Sequence, residues 1–149
     1  MIILSPYAQK LSNGQENPKN YPYWPELVSM INEPIIQIGV AGEKALVPDF
    51  RTNLPFAELT KLVNECRTWI SVDSFFQHFC WDLGKPGVVI FSQSDPNIFG
   101  HSENINLLKD RKYLREKQFW LWEQTEFNSD AFVTPEEIIK VLTLQFPNK

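Results

Sequence analysis

The chain has 149 residues, of which 43% are hydrophobic and 21% charged, and its formal net charge is −4. That length suits one domain, able to bury roughly two thirds of the surface its unfolded form exposes, and the composition excludes disorder and fibrous repeats. The acidic balance argues against a phosphate-backbone footprint, which rests on clustered Lys and Arg, so nucleic acid is not an expected partner. No apolar run reaches the roughly 20 residues a membrane helix needs, and the opening Met1-Ile2-Ile3-Leu4-Ser5-Pro6 is too short for a signal peptide. A cytoplasmic protein without a membrane span is expected. Cys66 and Cys80 stand apart, with neither a Cys-x-x-Cys pair nor a Cys/His cluster, so they read as two buried thiols and not as a zinc or redox site.

The elements follow in chain order. Ile2 to Leu4 is a short apolar run ended by Ser5-Pro6, which predicts a buried strand. Residues 9–20 are rich in Asn, Gly and Pro and predict an exposed loop. From Pro25, the spacing of Leu27, Val28 and Ile31 predicts a helix, with Pro25 in a first turn where its missing N–H costs nothing. Residues 35–38, bounded by Pro34 and Gly39, predict a second strand. A helix over 55–63 puts Leu59, Leu62 and Val63 on one stripe. Residues 69–72 predict a third strand, Phe75 to Leu83 a helix stopped by Gly84, and residues 88–91 a fourth strand.

The rest is less regular. Ser92 to His101 predicts a loop, Ile105 to Leu108 a short strand, and Lys109 to Gln118 a charged, solvated stretch. Phe119-Trp120-Leu121-Trp122 reads as a core strand, or else as an interface with a second copy or a partner domain. Thr134-Pro135-Glu136-Glu137 opens a helix through Leu144, with Ile138, Ile139, Val141 and Leu142 facing inward. Strands alternating with helices predict a single α/β domain over 1–149, a doubly wound Rossmann-like fold with a mainly parallel sheet.

In such a sheet ligands bind beyond the carboxyl ends of the strands, where helix N-termini offer free amides to anions. The junction Val72-Asp73-Ser74-Phe75-Phe76-Gln77-His78 is the most informative of these loops. Asp73 and Ser74 leave a strand and enter a helix, and His78 lies on its opening turns. The same residues also read structurally, since Ser74-x-x-Gln77 is a capping box and Asp73 suits a helix start.

This junction, followed by Gly84-Lys85-Pro86 and the strand 88–91, resembles the signature of the family 9 glycosyltransferases, the heptosyltransferases. Other pieces agree in order. Asn17-Pro18-Lys19-Asn20-Tyr21-Pro22 with Trp24 resembles the family's Lys-x-Trp-Pro segment. Ile36-Gln37-Ile38-Gly39 with Gly42-Glu43 resembles its second strand and glycine turn, and Ser94-Asp95-Pro96 its post-strand loop. The resemblance spans residues 2–145 and implies the C-terminal, nucleotide-sugar-binding half of a GT-B fold. It implies that Lys19 offsets diphosphate charge, Asp73 bonds donor hydroxyls, Ser74 and the amides after it cradle phosphate, and His78 contacts phosphate or sugar.

No cofactor or metal is implied beyond a nucleotide-diphosphate sugar as ligand or substrate. Two departures bear on activity. Phe75 stands where the family has Gly, and its side chain can crowd a phosphate. The chain also opens at the donor half's first strand, so the acceptor half, with its catalytic base, is expected from a partner chain if transfer occurs at all. Otherwise the domain is a noncatalytic nucleotide or nucleotide-sugar binder, or a structural protein with a decayed pocket.

Overall fold

The computed structural model describes residues 1–148. Among them six strands form one sheet: β1 (Ile2–Ser5), β2 (Ile35–Gly39), β3 (Phe50–Thr52), β4 (Thr68–Val72), β5 (Val88–Ile90) and β6 (Ile105–Leu107). Their order is β3-β2-β1-β4-β5-β6, and every pairing is parallel. Five helices accompany them: α1 (Trp24–Met30), α2 (Phe56–Glu65), α3 (Phe75–Asp82), α4 (Pro96–Phe99) and α5 (Pro135–Gln145). This is the doubly wound, Rossmann-like α/β fold that the alternation of apolar strands and helices predicts.

Alternation along the strands divides the core between the two faces. Ile2 and Leu4, Ile70 and Val72, and Val88 and Ile90 face one side, where they meet Trp24 and Leu27 of α1 and Ile138 and Leu142 of α5. Ile3, Ile36 and Ile38, Trp69, and Val89 face the other, against Leu59, Leu62 and Val63 of α2 and Phe76 and Cys80 of α3. Central parallel strands covered on both sides must be apolar throughout, which is why β1, β4 and β5 are legible as unbroken runs. A Cβ at Gly87 would fall 2.3 Å from the Trp69 indole, so the absence of a side chain there lets Trp69 lie across the start of β5. Both thiols are buried and unpaired, as expected from their spacing.

Three expectations are corrected. The strand β3 lies outside the predicted set because it is a short edge strand, Phe50-Arg51-Thr52, whose last two residues are exposed and give no apolar signal. Residues 9–20 are not uniformly exposed: Asn17 and Pro18 are buried and only the first part of the loop is open. Phe119 to Trp122 forms no strand. Phe119, Trp120 and Leu121 are exposed, and Trp122 opens a 3-10 turn, Trp122–Gln124. The reason is local: the Arg115 guanidinium donates to the carbonyls of Gln118 and Trp120, both at 2.9 Å, so these acceptors are taken by a side chain and not by a ladder.

The N-terminus of α5 forms as its capping pattern predicts, the Thr134 hydroxyl accepting from the Glu137 amide at 3.3 Å. The equivalent pattern at α3 does not form. Ser74 makes no capping bond, and Gln77 turns its side-chain amide to Asp73 Oδ1 at 2.6 Å.

Candidate functional site

The chain leaves β1 toward β2 on one side and β4 toward β5 on the other, so the loops after these neighbouring strands diverge and open a crevice at the carboxyl edge. A cavity of about 830 Å³ lies there. Ser5 and Tyr7 line it from the loop after β1, Gly39 and Glu43 from the loop after β2, and Asp73 to Phe76 from the junction of β4 with α3. That volume falls in the range of small-molecule sites.

Lys19 reaches the cavity because the loop from 6 to 23 folds back on itself. The Trp24 indole donates to the Pro6 carbonyl at 3.1 Å, and the Ala8 amide donates to Asn20 Oδ1 at 2.9 Å. Asn17 accepts from the Lys19 amide at 3.0 Å and donates to the Gln9 carbonyl at 3.2 Å. So anchored, Lys19 sets its ammonium 3.2 Å from Asp73 Oδ2 and 4.9 Å from the centre of the Trp122 ring.

Asp73 is only 4% exposed. Its carboxylate accepts from Gln77 at 2.6 Å and from the Ser94 hydroxyl at 2.8 Å, besides the Lys19 contact, so it organises the junction from three directions. Ser74 is extended at the helix entrance, and its Oγ is inaccessible and has no hydrogen-bond partner. The first amides of a helix have no intrahelical acceptor, and at α3 no side chain supplies one. A half-buried cation and uncapped amides therefore share one cavity, a combination that suits an anion with several oxygens.

Phe75, the first residue of α3, lines the cavity and packs its ring on Phe56 and Phe79, with centroids 6.0 and 5.7 Å away. His78 is not among the residues lining the cavity. Its Nδ1 lies 2.7 Å from Nε2 of His101, whose ring stacks on Trp81 with centroids 4.5 Å apart. Burial, with a further contribution from His101, holds the His78 imidazole below its usual pKa, Asp73 opposing and Lys19 adding to the shift. At neutral pH it is an uncharged hydrogen-bonding group.

The structure thus gathers Lys19, Asp73, Ser74 and Phe75 at one cavity and places His78 beside it, facing His101. Further groups stand close by. Arg115 lies 3.6 Å from the centre of the Trp122 ring, with its guanidinium bonded to Thr125 at 3.0 Å as well as to backbone carbonyls. Burial lowers its pKa and Asp73 works against the shift; Lys19 and Arg115 both lie against the Trp122 ring. In the sequence Arg115 is one more charge in a basic run and Trp122 one more aromatic in an apolar run, and neither pattern marks them. Glu43 follows Gly42, whose φ of +93° makes the turn; its Oε1 accepts from the Val40 amide at 2.7 Å. Burial raises the Glu43 carboxyl above its usual pKa, against that hydrogen bond and Lys10. Among the described residues no group of three His, Cys, Asp or Glu side chains is placed to hold a metal ion, and no helix is long and apolar enough to cross a membrane.

The sheet order, with a cavity at the point where it reverses, defines a doubly wound, Rossmann-like α/β architecture. Among solved structures, the E. coli ADP-heptose lps heptosyltransferase II is similar, with a TM-score of 0.63 and 16% sequence identity over 97% of this chain. The match covers 46% of that protein, so this chain spans about half its length. The likeness is one of fold, heptosyltransferase-like. No protein-family profile matches the sequence, and no curated protein matches it.

Proposed function

We propose that this domain binds a nucleoside diphosphate or its sugar at the carboxyl edge of the sheet, as the donor-binding unit of a glycosyltransferase. The observation that carries the reading is the convergence of Lys19 and the uncapped N-terminus of α3 on one cavity. A diphosphate meets the ammonium and the amides together, and these donors also favour the charge that grows on a departing diphosphate. Lys19 binds phosphate, and the amides of Phe75 and Phe76, at the helix entrance that Ser74 begins, cradle it, while His78, paired with His101, stays outside the cavity. Acceptor and base come from a second unit, for which the exposed Phe119, Trp120 and Leu121 offer a contact surface.

Asp73 favours a second reading on one point. Its carboxylate is nearly inaccessible and already has three partners, so it serves to position Lys19 and α3 more than to meet a sugar hydroxyl. That arrangement suits a module that binds nucleotide without chemistry of its own.

Calorimetry on the Lys19→Ala variant tests the reading. Nucleoside diphosphate binding is expected to weaken by about 1.5–3 kcal/mol, the range for a lost hydrogen bond to a charged group, with little change in stability. An unchanged affinity would remove Lys19 from the site.

A further inference from the structure

Two helices begin at the edge of the same cavity, and each begins with an exposed phenylalanine. Phe56 opens α2 and is 67% exposed; Phe75 opens α3 and is 58% exposed. First-turn positions are ordinarily polar or acidic, because they sit at the positive end of the helix dipole and in water. Here the two rings meet each other and Phe79, which is stacked on Phe56 at 5.8 Å with 29° between planes. Phe79 packs into the core, so it fixes the outer two rings from below. A supported group of aromatic rings left open to solvent and bordering a cavity differs from scattered surface apolar residues, which need no explanation.

Phe75 also connects this group to the anion-binding entrance, since its own amide is one of the uncapped donors of α3. A ligand held there by phosphate has the exposed rings beside it. We propose that Phe56 and Phe75 form a stacking platform for the planar base of a nucleoside diphosphate, an assignment that rests on the diphosphate reading of the cavity. The ring of Phe75 is then a gain in base affinity where it first reads as an obstacle to phosphate. Stacking tolerates any base, because each has a π-face, so the platform raises affinity for purine and pyrimidine nucleotides alike.

Calorimetric titration of the intact chain with pyrophosphate, and with ADP, GDP and UDP, separates the two claims. The best of the three nucleotides is expected to bind at least about tenfold more tightly than pyrophosphate, and Phe56→Ala or Phe75→Ala to lower that affinity about tenfold. Pyrophosphate affinity should stay within about twofold of the parent in Phe56→Ala, whose residue lies outside the phosphate entrance. Phe75→Leu keeps apolar bulk at the helix start without a ring face, and its loss of nucleotide affinity is expected even if Phe75→Ala folds poorly. If pyrophosphate binds as tightly as every nucleotide, or if the variants keep the nucleotide advantage, the platform is overturned and the phosphate site stands. If neither pyrophosphate nor any nucleotide binds the parent chain, both fall.

Discussion

Replacing Trp24 with Ala is expected to lower the unfolding free energy by about 3–5 kcal/mol, the range for deleting a large buried aromatic side chain. Trp24 is 1% exposed, stands edge-on to Tyr21 with centroids 5.3 Å apart, and belongs to the core face formed with α5. Its indole N–H also ties the Pro6 carbonyl, so it joins the start of the Lys19 loop to α1. Removing it opens a cavity and frees the loop together. Trp24→Phe keeps most of the volume and loses the hydrogen bond, so it should cost clearly less. Urea denaturation of both variants checks the order, and a Trp24→Ala loss under about 1 kcal/mol would mean that the core on this face repacks without it.

Asp73→Ala is expected to cost about 2–3 kcal/mol. The carboxylate is buried, accepts from Gln77 and Ser94 and faces Lys19, and bonds to a charged acceptor are worth about 1.5–3 kcal/mol. Loss of a buried partner also leaves its donors unsatisfied, but the Lys19 side chain is 20% exposed and can turn toward water, which keeps the total below that of a fully buried pair. Denaturant unfolding of Asp73→Ala beside Lys19→Ala tests this, with the Asp73 change expected to be much the larger. Equal and small losses would show that Asp73 organises nothing beyond one surface ion pair.

The sheet was legible where burial on both faces forces a plain pattern. β1, β2, β4 and β5 fall where apolar runs predict them, and α2 buries the three residues assigned to its inner stripe. β3 was not, because Arg51 and Thr52 face solvent at an edge and their pairing with Ile38 and Gly39 comes from neighbours in space. Phe119 to Trp122 has strand-like composition, and nothing local reveals that Arg115 claims its carbonyls.

The site divides in the same way. Asp73 and Ser74 are marked by their place at a strand-to-helix junction, whatever their chemistry. Gln77 could accept from the Ser74 amide at the helix entrance, but instead it donates to Asp73, which the Ser94 hydroxyl and Lys19 also meet from distant segments. Periodicity carries no such information. Lys19 itself stands in a polar loop and was singled out only by resemblance; the buried Asn17 that holds its amide is the physical reason it reaches the cavity. His78 has the helical spacing to face the cavity, but its ring pairs with His101 and it does not line the cavity.

The most direct test is a titration of the isotopically labelled chain with a nucleoside diphosphate, followed by amide resonances. Binding at the proposed site predicts saturable shifts at Phe75, Phe76 and Gln77 and in the segment around Lys19, with α5 unaffected. Saturation with no shifts at the start of α3, or no binding at millimolar nucleoside diphosphate, would contradict the donor-site account and leave Ser74 and His78 as structural residues of a helix entrance.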